Sequence, residues 1–240
     1  FQVRGGEIVC LAGIEGNGQT EFVYGLTGLE KISSGKITLD GKDITYLAEH
    51  RRSQSIGRLF QDPLRGTAPH MTIEENLAIA YLRQSRSRFA VFSRITKADR
   101  ALFRDQLAQL GMGLEDRMRQ PVGLLSGGQR QALTLLMATL QKPKLLLLDE
   151  HTAALDPKTA KKVLEITQEI VEEQNLTTLM ITHNMKDAIS IGNRLVMMHE
   201  GRIIYDVSGD EKKKLEVDDL LKKFEEASGE EFSNDSALLS

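Results

Sequence analysis

The chain has 240 residues, of which 40% are hydrophobic, 27% are charged and 5% are aromatic, and its formal net charge is −3. These values describe a globular chain long enough to bury a core, and they exclude disordered, collagen-like and coiled-coil proteins. The longest apolar run, residues 77–82, is far shorter than the roughly 20 residues that cross a bilayer. One cysteine, Cys10, excludes a disulfide framework and is expected to be a buried thiol.

Basic and acidic residues nearly balance, at 31 and 34. This balance gives no reason to expect a nucleic-acid partner. The pair Arg51 and Arg52 and the lysine run 212–214 are interpreted as solvated surface. No N-terminal signal is recognised, so we expect a cytoplasmic protein.

Strands and helices alternate in the first half of the chain. Strands are expected at residues 7–13, 36–40 and 57–60. The first leads through a glycine-rich loop into a helix. From Thr72, which is predicted to form a capping box with Glu75, the pattern is helical to about residue 140. Helices are expected at about 97–110 and from Gly127, which implies a helical insertion.

Strands return in the second half. They are expected at residues 144–149, 176–182, 195–199 and 202–207. The first of these is too short for a buried helix and suits a central parallel strand, and the last two form a hairpin that turns at Glu200 and Gly201. Asp156 and Pro157 predict the start of one helix, and another is expected near 214–226. The alternation indicates an α/β core.

A glycine-rich loop follows the first predicted strand. It fits G-x-x-x-x-G-K-[ST] except that Gln19 replaces the lysine. Backbone amides of such a loop, closed by a helix N-terminus, cradle phosphate, and the Thr20 hydroxyl is placed to ligate Mg²⁺. A tight strand-to-helix turn would explain an isolated match equally well. The candidate nucleotide-binding residues are Gly13, Ile14, Glu15, Gly16, Asn17, Gly18, Gln19, Thr20 and Glu21.

Two acids, Asp149 and Glu150, end the apolar run 145–148. Open parallel sheets place ligand chemistry at this end of a strand. Asp149 can hold a metal ion through water, and Glu150 can orient an attacking water. Taken alone, the two acids could be solvated surface residues. Because they occur together with the glycine loop, the functional interpretation is favoured.

Residues 125–129 read LSGGQ and open the predicted helix at Gly127. Taken alone, Ser126 is an ordinary N-cap. The pentapeptide nevertheless resembles the signature of the ATP-binding cassette (ABC) ATPases. In the same order, Gln61 resembles the family's Q-loop glutamine, residues 154–156 its D-loop and His183 its switch histidine.

The resemblance covers about residues 7–207 and implies a P-loop NTPase of ABC type, with a mainly parallel sheet, a helical insert and an incomplete antiparallel edge. ATP and Mg²⁺ would lie between the glycine loop of one cassette and the signature of another. The implied catalytic residues are Glu150, His183 and Gln61. The implied metal ligands are Thr20, Gln61 and Asp149. The residues implied to touch the partner's nucleotide are Ser126, Gly127, Gly128 and Gln129.

The same resemblance implies a domain organisation and partners. The expected parts are a RecA-like ATP-binding core at 1–71 and 141–210, a helical signature subdomain at 72–140, a C-terminal helix at 211–227 and a flexible tail at 228–240. The expected partners are a second cassette, in a homo- or heterodimer, and transmembrane transporter subunits. The chain would be peripheral on the inner face of the membrane.

Two features depart from the family pattern. Gln19 removes a cation beside the β- and γ-phosphates, and no aromatic residue lies well upstream of the loop, where the family stacks adenine. Residues 1–46 resemble the degenerate second cassette of sugar and nucleoside importer ATPases, whereas 47–207 resemble single-cassette importers of amino acids and organic solutes. We therefore expect a composite chain, with poor packing or altered connectivity at a junction between Thr38 and Arg52.

Three functions compete at this point. The first is an ATP-hydrolysing subunit that drives solute transport. The second is a non-hydrolytic module that binds ATP and dimerises, because Gln19 has disabled turnover. The third, a soluble cassette protein of DNA repair or translation, is disfavoured because the chain has a single cassette and no basic stripe or long coiled coil.

Overall fold

The computed structural model describes residues 1–14, 16–83 and 95–228. The strands are β1 (Ile8–Ala12), β2 (Thr38–Leu39), β3 (Lys42–Asp43), β4 (Ile56–Leu59), β5 (Leu145–Asp149), β6 (Thr178–Thr182), β7 (Arg194–His199) and β8 (Arg202–Ser208). The helices are α1 (Gln19–Thr27), α2 (Glu49–Arg52), α3 (Ile73–Leu82), α4 (Lys97–Gln109), α5 (Gly127–Thr139), α6 (Pro157–Glu173), α7 (Met185–Ser190), α8 (Gly209–Lys212) and α9 (Val217–Ser228). Among these helices, none has the length and apolar character needed to span a membrane.

The main sheet has the strand order β4-β5-β6-β1-β7-β8. Strand β1 runs parallel to β6 and β7, and β5 runs parallel to β6, whereas β7 and β8 are antiparallel. Four consecutive residues are buried in each of β1, β5 and β6, as expected for strands covered on both faces. The mainly parallel α/β fold is therefore confirmed. Of the strand expected at 36–40, only the two residues of β2 are extended and paired.

The chain divides into two compact units. The first contains residues 1–56, 144–150 and 175–240, and the second contains 57–143 and 151–174. The core of the first unit consists of Val9, Leu11, Val23, Ile44, Ile56, Leu145, Leu147, Leu179, Ile181, Val196 and Met198. In the second unit α5 packs against α3 and α6, and its largest fully buried side chains include Phe103, Ile73, Leu77, Leu107 and Leu133.

The local signals for two helix starts are confirmed in the second unit. Thr72 and Glu75 form the predicted capping box of α3, and Asp156 caps α6 with Pro157 in its first turn. Helices α2, α7 and α8, with four, six and four residues, escaped the sequence analysis because so few residues show no helical period. Cys10 is buried as expected, and burial raises the pKa of its thiol to about 12.

Two basic side chains that were expected on the solvated surface are buried. Arg52 and Lys212 are only 4% and 2% exposed, so the solvated-surface interpretation is wrong for both. One reason is that the last carbonyls of a helix lack intrahelical partners and a cation can satisfy them, as Arg52 does at the end of α1 and Lys212 at the end of α7. Arg52 donates to the carbonyls of Gly25, Leu26, Thr45 and Leu47. Lys212 donates to the carbonyls of Ile189, Ile191 and Gly192.

The segment in which the sequence predicts a junction is packed into the first unit. Ile44 belongs to the hydrophobic core, and the Thr45 hydroxyl accepts from the amide of Ile37 at 2.9 Å. Arg52, at the end of the same segment, donates to the carbonyls of Gly25 and Leu26 in the last turn of α1. The poor packing expected for a junction is not found at these residues.

A candidate nucleotide-binding site

The glycine loop joins β1 to α1, and Gly18 is the N-cap of that helix. Gly18 has φ 98°, in the left-handed region that glycine adopts without strain. Helices α3 to α6 each have a side-chain N-cap, from Thr72, Thr96, Ser126 and Asp156. Helix α1 has none. Since first-turn amides have no intrahelical acceptor, this end of α1 is suited to bind an anion such as phosphate.

Gln19 lies within its own loop. Its side chain is 5% exposed, and its Nε2 donates to the carbonyl oxygen of Ile14 at 3.3 Å. Asn17 Nδ2 donates to the same oxygen at 3.0 Å. Thr20 and Glu21 are exposed at the start of α1, and Glu15 lies outside the described residues. The position that carries a cation in the lysine form of the motif is therefore occupied by a neutral amide.

His183 connects the loop to the end of β5. Its Nδ1 is 2.7 Å from the carbonyl oxygen of Gly13, and its Nε2 is 2.5 Å from Oε1 of Glu150. Because a carbonyl oxygen can only accept, Nδ1 must donate. A hydrogen bond between Nε2 and the carboxylate then needs a second proton, held by the imidazole or by Glu150. The arrangement thus places a hydrogen-bonding proton between His183 and Glu150, beside the first residue of the glycine loop.

Glu150 is held in an unusual backbone conformation. It has φ 47°, and its amide donates to the carbonyl of Ile181 at 3.0 Å. A left-handed conformation at a residue other than glycine costs on the order of 1 kcal/mol, and such strain clusters at functional sites. Asp149, the last residue of β5, is partly buried and pairs in register with Ile181. Both predicted acids therefore lie at the carboxyl end of a parallel strand.

The signature residues begin α5 in the second unit. Ser126 Oγ accepts from the amide of Gln129 at 3.3 Å, and Gln129 Oε1 accepts from the amide of Ser126 at 3.2 Å. A Cβ at Gly128 would lie 2.1 Å from Cγ2 of Thr159 in α6, so a larger residue at this position would require the Thr159 side chain to move. Ser126 and Gly127 are exposed, and the preceding Leu124 is 71% exposed. The start of the signature segment is therefore fixed by hydrogen bonds, and it lies on the surface of the second unit.

The second unit also contains the Q-loop and D-loop residues. Gln61 is exposed after β4, and Asp62 next to it caps a short turn by accepting from the amide of Leu64 at 2.9 Å. His151, which the sequence analysis missed, is 2% exposed with its Nε2 3.2 Å from Oγ1 of Thr167. Burial lowers the pKa of His151 to about 4. A histidine directly after two acids gave no sequence signal of burial.

Of the predicted site residues, the structure brings together Gly13, Glu150 and His183. Asp149 and the rest of the glycine loop belong to the same unit, and Gln61 and the signature belong to the other. Among the described residues, no three His, Cys, Asp or Glu side chains form a group that could hold a metal ion. The predicted set of one hydroxyl, one amide and one carboxylate consists of oxygen donors, which suits Mg²⁺ shared with water and phosphate.

A glycine loop after β1, two acids at the carboxyl end of β5 and a mainly parallel sheet define a P-loop NTPase. The model of the ABC transporter family matches residues 1–153. Over 227 residues the chain is 44% identical to the tyrosine transport ATP-binding protein of Clostridioides difficile (strain R20291), which covers 95% of this chain and 89% of that protein. The chain therefore belongs to the ABC transporter family and is an ABC-type ATPase, a class of proteins that bind ATP.

Other relatives support this membership. The chain is 34% identical over 206 residues to the spermidine/putrescine import ATP-binding protein PotA of Haemophilus influenzae (86% of this chain) and 34% identical over 205 residues to the methionine import ATP-binding protein MetN of Rhizobium johnstonii (84% of this chain). It spans about half the length of these two relatives, 52% and 53%. The structure of the ADP conformation of the ATP-binding cassette MJ1267 matches with a TM-score of 0.77 and 26% identity, over 96% of this chain and 91% of that one.

Proposed function

We propose that the chain hydrolyses Mg-ATP to drive solute import through a membrane partner. The observation that carries the proposal is the contact of His183 with both the glycine loop and Glu150. In this proposal the Glu150 carboxylate orients and deprotonates the attacking water. His183 holds a proton where negative charge develops on the γ-phosphate. Amides of residues 13–21 and the N-terminus of α1 hold the phosphates.

The Thr20 hydroxyl, the Gln61 amide oxygen and the Asp149 carboxylate are proposed to hold Mg²⁺, directly or through water. When bound, Mg²⁺ neutralises charge on the β- and γ-phosphates and fixes their orientation. Gln61 follows the strand that leads into the second unit. It is therefore the proposed link between the metal site and residues 72–140. These residues are the proposed signature subdomain, and residues 1–71 and 141–210 are the proposed ATP-binding core.

Ser126, Gly127, Gly128 and Gln129 are proposed to complete the nucleotide site of a second cassette. The exposure of Ser126 and Gly127 and the exposed Leu124 before them support this role. A dimer of two cassettes, bound to transmembrane subunits on the inner face of the membrane, is the proposed assembly. The relatives named for transport of tyrosine and for import of methionine favour an amino acid or a related organic solute as the cargo.

A second function is favoured by one residue. Gln19 offers only neutral hydrogen bonds where a lysine would offer charge-assisted ones. The alternative is therefore a module that binds ATP and dimerises with little or no turnover. It uses the same cradle and the same signature, and only the rate of hydrolysis separates the two functions.

The test is phosphate release by the purified chain at saturating Mg-ATP, with Glu150→Gln as the blank. We expect turnover above that of Glu150→Gln, because the variant keeps the fold and the cradle and lacks the base. Equal rates with retained Mg-ATP binding would establish the non-hydrolytic alternative. A folded chain that fails to bind Mg-ATP would contradict both functions.

A further inference from the structure

The outer side of the glycine loop is bound by the turn between β7 and β8. The amide of Glu200 donates to Oδ1 of Asn17 at 3.0 Å, and the amide of Gly201 donates to the main-chain oxygen of Asn17 at 2.9 Å. These residues are 183 and 184 positions apart in sequence but belong to the same compact unit. The turn therefore contacts the loop through two consecutive backbone amides.

The geometry of the turn explains why these amides are available. Glu200 and Gly201 have φ 47° and 73°, and they connect His199 and Arg202, which pair across the hairpin. Two positive φ values in a two-residue hairpin loop are typical of a type I′ turn. The central amides of such a turn take no part in the strand ladder, so they need acceptors from outside the hairpin. Here Asn17 provides both acceptors.

The Asn17 side chain binds both the turn and the rest of the glycine loop. Its Nδ2 donates across the loop to the carbonyl oxygen of Ile14 at 3.0 Å. The Asn17 side chain therefore links the turn, which binds its Oδ1, to Ile14 on the other side of the loop. At the next residue the backbones touch, since a Cβ on Gly18 would lie 2.9 Å from Cα of Gly201. The turn itself is braced, because the His199 ring packs edge to face on Phe224 of α9 with centroids 5.1 Å apart.

We propose that the Glu200–Gly201 turn is a positioning element that holds the glycine loop in its phosphate-binding shape through Asn17. The inference rests on the proposed function, in which backbone amides of this loop bind the phosphates. A loop with three glycines has much conformational freedom to lose on binding, and an external anchor removes part of that freedom beforehand. The anchor matters more in this chain because Gln19 cannot supply a charged contact.

The first test is the affinity for Mg-ATP of the variant Asn17→Ala, measured by calorimetry. Asn17→Ala removes two side-chain hydrogen bonds, so we expect the dissociation constant to rise about tenfold, equivalent to about 1.4 kcal/mol. Turnover of the same variant is measured at saturating ATP, so that a loss of affinity is separated from any change in the rate of the chemical step. Asn193→Ala is the matched control, since Asn193 Oδ1 accepts one backbone amide, that of Ile8, at 3.1 Å at the other end of β7. It should leave the affinity within about twofold.

The second test alters the turn and leaves Asn17 intact. Glu200→Gly removes an exposed side chain but keeps the amide and relieves the positive φ, so affinity should not fall. Inserting two glycines between Glu200 and Gly201 moves their amides away from Asn17. We therefore expect the dissociation constant for Mg-ATP to rise about tenfold, as in Asn17→Ala. Hydrogen exchange without nucleotide should show the amides of Glu200 and Gly201 protected in the parent chain and faster in Asn17→Ala.

The outcomes separate this inference from the proposed function. Parent-like affinity in both Asn17→Ala and the lengthened turn would overturn the positioning role, as would unchanged exchange of the two amides in Asn17→Ala. A parent chain that does not bind Mg-ATP would overturn the proposed function, and the exchange result would still decide whether the contact exists. If Asn17→Ala does not fold, the lengthened surface turn decides the question alone.

Discussion

The glycine loop and the signature segment differ in where their polar groups are bound. In the first unit Gly13 and Asn17 are held by His183, Glu200 and Gly201, so the loop is supported from several strands of its own unit. In the second unit the side chains of Ser126 and Gln129 bind each other's amides at the start of α5. Ser126 and Gly127 are exposed, as is Leu124 two residues before the cap.

This difference shows how the two segments can serve different molecules. A loop supported by several distant strands is pre-organised for a ligand that binds to its own chain. A capped helix start that remains on the surface is rigid, and it can be used by another molecule without any rearrangement of the chain. We expect changes at the loop to affect nucleotide chemistry and changes at the signature to affect association.

The largest effect is expected from Glu150→Gln. Loss of a general base typically lowers turnover by at least about 10²-fold, and the variant also removes a negative charge near the γ-phosphate. We therefore expect ATP and Mg²⁺ to trap a dimer of Glu150→Gln, seen by light scattering as a doubled mass. A chain that stays monomeric under these conditions would contradict the role given to the signature segment.

The next effect concerns stability at low pH and involves the second unit. Burial lowers the pKa of His151 to about 4, against 6.5 for an ordinary histidine. Between these two pH values the unfolded chain binds a proton at His151 that the folded chain does not bind. The contribution of the neutral His151 to the free energy of unfolding is therefore complete above about pH 6.5 and is lost as the pH falls toward 4. We expect a loss of about 2 to 3 kcal/mol between pH 7.5 and 4.5 in urea unfolding.

Carboxylates titrate in the same range, so the measurement is a comparison with His151→Gln. This variant keeps a hydrogen-bonding group near Thr167 but does not titrate. It should lose about 2 to 3 kcal/mol less than the parent over the same pH interval. Identical pH dependence in the two proteins would show that His151 becomes protonated in the folded chain.

Gln19→Lys tests the glycine loop itself. Lysine would add charge-assisted hydrogen bonds to oxygens whose charge grows as the γ-phosphate leaves, and losing one such contact typically costs about 10²-fold or more in turnover. As a cautious fraction of this effect, we expect turnover at saturating ATP to rise at least about tenfold. Unchanged saturated turnover would mean that another cation serves the phosphates or that catalysis is limited elsewhere, and Mg-ATP binding by both forms would distinguish these cases.

The smallest effect is expected from Ser126→Ala. Loss of this N-cap should lower the free energy of unfolding by about 1 kcal/mol. Thr96→Ala is the matched control, because Thr96 forms the same kind of capping box in α4 of the same unit. Both variants should lose similar stability, but only Ser126→Ala should weaken the ATP-dependent dimer in the Glu150→Gln background. Equal dimer formation by both would contradict the difference between loop and signature.

Local sequence signals predicted much of this fold. The capping box at Thr72 and the N-caps at Ser126 and Asp156 depend on residues two or three positions apart, so they can be predicted from the chain itself. The apolar run before the glycine loop predicted the strand β1, and the run of β5 predicted a central parallel strand because such a run suits a strand covered on both faces. Motif order predicted the family, which the relatives confirm.

Contacts between distant segments could not be predicted in this way. Arg52 and Lys212 look like ordinary surface cations in sequence, yet each is buried against carbonyls that its helical neighbours leave without partners. The turn at Glu200 was predicted, but its amides find Asn17 only because β7 lies beside β1 in the sheet. No pattern within a short window contains that information.

The sequence by itself determined which groups are available: glycines for a phosphate cradle, two acids after β5, a capped signature and a glutamine where a lysine is usual. These depend on residue type and short spacing. The tertiary structure decided what each group touches, because strand order sets which loop ends meet at one edge of the sheet. That order places His183 between Gly13 and Glu150, and the hairpin turn behind Asn17.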